Sequence, residues 1–168
     1  RSSSSGSKLI EDEAITAYID RLFPLARVIT PNNLETRHFT GINITSVDDA
    51  IQASEKLIQM GANAAVVKGG DTKFKESPDK LYDVLNDAGT IHIFERPLVG
   101  SRNSHGTGCA YASAICSLLA LGHDLKTACD HAGRYVVGAL LHAFQTGQGS
   151  GSINHLWNNC FKDKPDYR

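Results

Sequence analysis

The residues best suited to chemistry lie in one glycine-rich run, N-S-H-G-T-G-C-A at positions 103–110, which leads into an apolar-rich run of helical period. A turn that opens into a helix leaves backbone N–H groups without intrahelical acceptors, at the positive end of the helix dipole. Gly106 and Gly108 lack the Cβ atoms that would hold a phosphate oxygen away. Cys109 falls in the first turn, where the same field favours a thiolate. The run predicts a phosphate cradle beside a candidate base; a tight turn before a core helix is the alternative.

A second polar group follows the short apolar run at residues 28–30. Asn32 and Glu35 stand where that predicted strand ends and a helix begins. Ligands of open parallel α/β sheets bind at the carboxyl ends of strands, so these residues are candidates for a site. The alternative is a helix cap, with Asn33 as the N-cap residue and Glu35 in the first turn.

Lys68 begins a third candidate segment, K-G-G-D, directly after the apolar run A-A-V-V at residues 64–67. That run has the length and composition of a parallel strand buried on both faces. A lysine beside two glycines can reach a phosphate that the backbone also approaches. A solvated lysine in a turn is the alternative.

Helices and strands of ordinary length are predicted around these segments. Acidic residues open a helix that Pro24 ends, and Ser46 with Asp49 forms a variant capping box for a second helix. Asp124 caps a helix that follows the one carrying Cys109. A hairpin at one edge of the sheet is predicted from residues 82–85 and 90–94, joined by a turn at 86–89. Residues 153–157 are predicted to form a last strand or a docking segment. The pattern indicates an α/β fold with a mainly parallel sheet flanked by helices.

Composition favours one soluble domain over residues 1–168, with 1–7 as a flexible segment. With 168 residues, 41% hydrophobic content and a net charge of −1, the chain has no electrostatic reason to bind nucleic acid or a membrane. The four cysteines contain no C-x-x-C pair, which favours a reducing, cytoplasmic location. We predict that Cys116 and Cys129 fill the core. His131 and His142 have no partners at metal-ligand spacing and are predicted to be surface or satisfied polar residues.

Five stretches in order resemble the hydroxymethylpyrimidine and phosphomethylpyrimidine kinases, ribokinase-like enzymes that phosphorylate the pyrimidine precursor of thiamine. These stretches are S-S-G-S-K-L-I, F-P-L-A-R-V-I-T-P-N-N-L-E-T, A-A-V-V-K-G-G-D, N-S-H-G-T-G-C-A-Y-A-S-A-I and G-Q-G-S-G-S-I-N-H-L-W. The resemblance runs from about Ser4 to Trp157. It departs from the family at Asp71, where histidine is usual, and at Ser152, where proline is usual.

The resemblance implies a role for each candidate residue. Residues 106–109, including Thr107, match the anion hole for the transferred phosphoryl group, and Cys109 matches the proposed base for the substrate hydroxymethyl group. Asn32 and Glu35 match the N-x-x-E motif associated with Mg²⁺ and its waters, and Lys68 matches a lysine near the ATP phosphates. The implied reaction is ATP-dependent phosphoryl transfer to hydroxymethylpyrimidine and its monophosphate.

The resemblance also implies that the family's N-terminal half, with the first strands and most of the pyrimidine pocket, is absent from this chain. An uncovered sheet edge favours pairing. We therefore expect either that the chain is part of a longer polypeptide whose remainder is cut off or separate, which we favour, or that two copies form a homo-oligomer and cover each other's edges. Two other functions stay open: a kinase of pyridoxal-type substrates, and an inactive fragment that binds nucleotide or a partner.

Overall fold

The computed structural model of the chain describes residues 12–70, 72, 74–77, 79–101, 103–145, 147–149 and 151–158. The predicted flexible segment 1–7, Asp71 and Cys160 lie outside these residues. The chain divides into two compact units between Leu98 and Val99. The single domain inferred from composition stays a prediction.

The first unit combines helices with a three-stranded sheet. Its elements are α1 (Asp12–Ala17), a π-helical turn (Tyr18–Leu22), α2 (Asn33–Thr40), α3 (Val47–Gln59), β1 (Ala64–Val67), β2 (Lys80–Asp87) and β3 (Thr90–Pro97). The first helical stretch ends before Pro24, as predicted. The predicted capping box begins α3: Ser46 Oγ accepts from the Asp49 N–H at 3.1 Å, and Asp49 Oδ2 accepts from the Ser46 N–H at 3.0 Å. The apolar face of α3 then packs into a core with β1 and β2.

The sheet has the order β1-β2-β3 and is antiparallel throughout. The predicted hairpin is confirmed at the edge, with longer strands and a two-residue turn, because Asn86 and Asp87 extend β2 instead of belonging to the turn. The prediction of a mainly parallel sheet is wrong for the described residues. The strands of this sheet pair antiparallel because the hairpin and the connection from β1 both return the chain in the opposite direction. Parallel pairing among the described residues is seen at two isolated bridges, between Ile29 and Ala65 and between His105 and Ser152.

The position of β1 explains its sequence. The Ile29 N–H donates to the Ala64 carbonyl at 3.0 Å, and the Val66 N–H donates to the Ile29 carbonyl at 2.8 Å. With β2 on its other side, β1 is paired along both edges, and its four residues are buried as predicted.

The second unit is built on α4 (Thr107–Ala120) and α5 (Leu125–Leu141). The predicted cap of α5 is confirmed, because Asp124 Oδ1 accepts from the Thr127 N–H at 2.9 Å. Cys129 fills the core as predicted. Cys116 does not: it is exposed, since it follows the buried Ile115 by one residue and therefore points about 100° around the helix from it.

The segment after residue 151 docks against α5 in this unit. Ile153 is buried with Ala110 and Ala139, and the Asn154 N–H donates to the Ala139 carbonyl at 3.0 Å. The Trp157 ring lies so close to Gly138 that a Cβ added there would collide with it. Of the two alternatives predicted for residues 153–157, the structure shows the docking segment.

His142 is a satisfied polar residue, as predicted. Its Nδ1 lies 2.9 Å from the Gly138 carbonyl oxygen, and its ring stacks on the Trp157 ring with 5.1 Å between centroids. His131 is exposed. In the part of the chain that the structure describes, no helix is both long and apolar enough to cross a bilayer.

Candidate active site

Asn32 and Glu35 form a reciprocal capping box at the start of α2. Asn32 Oδ1 accepts from the Glu35 N–H at 2.8 Å, and Glu35 Oε2 accepts from the Asn32 N–H at 2.9 Å. The alternative interpretation of these residues as a cap is thus correct in kind but wrong in position, because Asn32 and not Asn33 is the N-cap residue. The capping box fixes the orientation of the Glu35 carboxylate at the carboxyl end of the extended segment 28–30.

Lys68 and Gly69 are tied to that same region. The Lys68 N–H donates to the Pro31 carbonyl at 3.1 Å. Asn33, instead of capping the helix, donates from Nδ2 to the Gly69 carbonyl at 3.2 Å. The first unit therefore brings together the N-x-x-E segment and the K-G-G segment, two stretches more than thirty residues apart in sequence.

Asp83 on β2 contacts this loop, a contact that was not predicted from the sequence. Its Oδ1 accepts from the Gly69 N–H at 2.9 Å, and its Oδ2 lies 3.6 Å from Arg96 Nε in a buried ion pair. Burial raises the pKa of the Asp83 carboxyl, against the opposing effects of the Gly69 N–H and the charges of Arg96 and Lys68. One sequence signal was present: an aspartate at a buried position of a predicted strand is rare unless it is paired.

The N-terminus of α4 differs from those of the other capped helices. Its N-cap residue is Gly106, in the left-handed conformation with φ 89°, and no side chain caps the helix. By contrast, α2, α3 and α5 are capped by Asn32, Ser46 and Asp124. The first N–H groups of α4 therefore have no capping side chain to accept from them, which is the arrangement of an anion-binding helix start.

Thr107, Gly108 and Cys109 make up the first turn of α4, and the Cys109 residue is exposed. The Thr107 N–H donates to the Ser104 carbonyl at 3.4 Å, and the Ala110 N–H donates to the Gly106 carbonyl at 2.9 Å. The predicted placement of a thiol in the first turn of a glycine-opened helix is thus present in the structure. The catalytic role of Cys109 stays a prediction.

The glycine-rich segment near residue 151 supports the loop that leads into α4. The His105 N–H donates to the Gly151 carbonyl at 3.1 Å, and His105 forms a parallel bridge with Ser152. A Cβ at Gly151 would collide with the side chain of the buried Asn103. Asn103 and Gly151 are thus further candidate site residues, which only their packing identifies; two of the five resembling stretches meet here.

Near Glu35 the described residues offer one oriented carboxylate to a magnesium ion. Among the described residues, no group of three or more His, Cys, Asp or Glu could hold a metal ion. Mg²⁺ usually keeps several waters and is held by one or two carboxylates together with substrate phosphates. A single carboxylate, already oriented by the helix start, fits that requirement.

The sequence pattern of the phosphomethylpyrimidine kinase family matches residues 2–154. The chain belongs to this family. The resemblance stated from the five motifs is therefore confirmed.

Two curated relatives illustrate the match. The chain is 38% identical over 151 residues to the thiamine biosynthesis bifunctional protein ThiED of Geobacter sulfurreducens, covering 90% of this chain and 30% of that protein. It is 32% identical over 151 residues to the hydroxymethylpyrimidine/phosphomethylpyrimidine kinase of Bacillus subtilis, covering 90% of this chain and 55% of that one. The chain thus spans from about a third to just over half of these relatives.

A solved structure confirms the ribokinase-like α/β fold. The Bacillus subtilis pyridoxal kinase, crystallised as an ADP complex, superimposes with a TM-score of 0.81 at 32% identity. The match covers 89% of this chain and 57% of that one.

Proposed function

We propose that this chain carries the phosphoryl-transfer part of a kinase that uses ATP to phosphorylate hydroxymethylpyrimidine and its monophosphate in thiamine biosynthesis. The observation that carries the proposal is the α4 N-terminus, which begins at a left-handed glycine without a side-chain cap. Because the chain belongs to the phosphomethylpyrimidine kinase family, we take the anion bound there to be the transferred phosphoryl group.

The proposed reaction needs little covalent chemistry from the protein. With hydroxymethylpyrimidine the substrate hydroxyl oxygen attacks the γ-phosphorus of ATP, and with the monophosphate an oxygen of its phosphate group attacks instead. In both cases the bond from the γ-phosphorus to the β,γ-bridging oxygen breaks, and ADP leaves. Cys109 Sγ takes the hydroxyl proton. The N–H groups of Gly108 and Cys109 at the start of α4 donate to the oxygens on which charge develops.

The first unit supplies the groups for the nucleotide. Lys68 at the end of β1 is proposed to pair with the ATP phosphates, and Glu35, oriented by Asn32, to hold waters of a magnesium ion. When bound, Mg²⁺ would neutralise charge on the transferred phosphoryl group. The ADP complex of the related pyridoxal kinase supports nucleotide binding by this fold.

A pyridoxal-type kinase is the second candidate. The chain is 32% identical both to a hydroxymethylpyrimidine/phosphomethylpyrimidine kinase and to a pyridoxal kinase. Sequence identity therefore does not distinguish the pyrimidine substrates from pyridoxal. The preference has to be measured by comparing turnover with each of them.

The deciding experiment is ADP release with ATP and magnesium, comparing hydroxymethylpyrimidine, its monophosphate and pyridoxal, with the solution mass recorded in the same sample. We expect turnover with the two pyrimidines and at most weak turnover with pyridoxal. The assay is run on the 168-residue chain and on the chain joined to the N-terminal half of a relative, which tests the predicted need for that half or for a homo-oligomer. Turnover by neither form would favour the inactive, nucleotide-binding fragment.

A further inference from the structure

Asp83 is a buried carboxylate in the middle of β2. It is only 5% exposed, and the residues on either side of it, Tyr82 and Val84, are buried as well. Removing a carboxylate from water is energetically unfavourable unless partners compensate for it. Its described partners are the backbone N–H of Gly69 and the side chain of Arg96.

Gly69 is held from several directions at this point. Its N–H donates to Asp83, and its carbonyl accepts from Asn33 Nδ2 at 3.2 Å and from the Thr72 N–H at 3.0 Å. A Cβ at this position would lie 2.5 Å from the Tyr82 carbonyl oxygen, so the loop lies directly on β2. Gly69 is the residue next to Lys68, and its position sets where the Lys68 side chain starts.

Fold stability alone is a weak reason for such an arrangement. Replacing a buried ion pair by apolar side chains of similar volume is often neutral or stabilising in proteins. The hydrogen bond to Gly69, however, has no apolar substitute, because an aliphatic side chain cannot accept from a backbone N–H.

We infer that Asp83 is a positioning residue for the nucleotide lysine: its carboxylate anchors Gly69 on the sheet and so holds Lys68 at the end of β1, where it can meet a phosphate. This inference rests on the proposed function for the role of Lys68. The anchoring itself is a property of the fold and is tested separately.

Three variants of the full chain separate anchoring from general stability. Asp83→Leu combined with Arg96→Leu removes the acceptor without leaving a buried charge. Asp83→Asn combined with Arg96→Leu keeps an oxygen that can accept from Gly69, also leaves no buried charge, and is the conservative rescue. Asn86→Ala is the matched control on the same strand, because its side chain is also buried but bonds to Ser54 and Gly89.

Amide hydrogen exchange reads the anchoring directly. We expect the Gly69 amide to exchange at least about tenfold faster in the double-leucine variant, relative to the Leu85 amide on β2. It should stay protected in Asp83→Asn combined with Arg96→Leu and in Asn86→Ala. Unchanged Gly69 protection in the double-leucine variant would overturn the inference.

Calorimetric titration with Mg-ADP reads the effect on the nucleotide. We expect the variant with both Asp83→Leu and Arg96→Leu to bind Mg-ADP at least about tenfold more weakly than wild type. When Lys68→Met is introduced into both proteins, their affinities for Mg-ADP should become equal, because Asp83 acts on the nucleotide through Lys68. An equal loss in the Lys68→Met background would show that Asp83 does not act through Lys68.

These two measurements keep the inference distinct from the proposed function. A wild-type chain that binds no Mg-ADP contradicts the proposed nucleotide role of this loop, and with it the phosphate role of Lys68. Hydrogen exchange still decides, in that case, whether Asp83 anchors Gly69.

Discussion

At Glu35 the capping box already accounts for one carboxylate oxygen. Oε2 accepts the Asn32 N–H at 2.9 Å, so the side chain has a structural task at the start of α2 whether or not it meets magnesium. A single residue can serve both purposes, because a cap orients the carboxylate that a hydrated ion would use. Substitution can separate the two roles.

Glu35→Gln should preserve the cap while weakening magnesium dependence. Glutamine keeps an oxygen that accepts the Asn32 N–H but loses the charge, so the free energy of unfolding should fall by less than about 1 kcal/mol. The magnesium concentration for half-maximal ADP release should rise at least about tenfold, since a neutral amide is a poorer partner for a hydrated dication. Asn32→Ala, the matched change in the cap, should cost about 1 kcal/mol. Unaltered magnesium dependence in Glu35→Gln would leave Glu35 as a cap only.

Cys109→Ala tests the proposed base. Because Cys109 is exposed, its removal should change the free energy of unfolding by no more than about 0.5 kcal/mol. Turnover with hydroxymethylpyrimidine should fall at least about 100-fold, the usual effect of losing a general base. Cys116→Ala is the control, since Cys116 is exposed on the same helix. Equal turnover in the two variants would remove Cys109 from the mechanism.

The N-termini of helices α2 to α5 differ in whether a side chain caps them. Three begin with a polar side chain that accepts from the first turn, and α4 begins with glycine. The family resemblance assigns an anion to the start of α4, where no capping side chain accepts from the first N–H groups. Where the cap includes a carboxylate, the free energy of unfolding should depend on pH.

The capping box of α3 should weaken in acid. Hydrogen bonds from Thr45, and then from Ser46, lower the pKa of Asp49 below its ordinary value of 3.8. A carboxyl whose pKa is lower in the folded chain stabilises the fold above its unfolded pKa, and that contribution is lost as the pH falls through the folded value. Urea unfolding between pH 7 and pH 2 should show a shallower loss of stability in Asp49→Asn than in wild type. Parallel curves would contradict this role.

The docking segment on α5 depends on the absence of a side chain at Gly138. A Cβ there would collide with the Trp157 indole, so Gly138→Ala should displace the ring and cost about 1–3 kcal/mol. Trp157 is the only tryptophan in the chain, and its fluorescence therefore reports the displacement without interference. Gly147→Ala, where an added Cβ meets nothing within 4 Å, is the control. A native emission spectrum in Gly138→Ala would contradict the packing.

At the scale of the whole molecule, the contact pattern divides the chain between Leu98 and Val99, whereas composition predicts one domain. Trp157 belongs to the second unit, and far-ultraviolet circular dichroism reports both. If the prediction of one domain is right, the two signals should give coincident urea unfolding curves. Separate midpoints would show that the units unfold independently.

Local signals in the sequence predicted much of the fold. The capped starts of α3 and α5 and the hairpin follow from residues within a few positions of one another, so no tertiary information was needed. The start of α4 at a glycine and the family were also predicted from the sequence, because the motifs that indicate them are short and contiguous. The cap of α2 was misplaced by one residue, since Asn32 and Asn33 are chemically alike and only the contact of Asn33 with Gly69 separates them.

The amino-acid sequence by itself thus determined the helices, the hairpin, the family and the candidate residues from Asn32 to Cys109. Only the tertiary structure decided which way the strands pair, that Cys116 lies off the buried stripe, and that Asp83 holds Gly69. Strand direction and the partner of a buried carboxylate depend on how segments distant in the chain pack together. A periodic pattern records that a position is buried, but not which group it meets there.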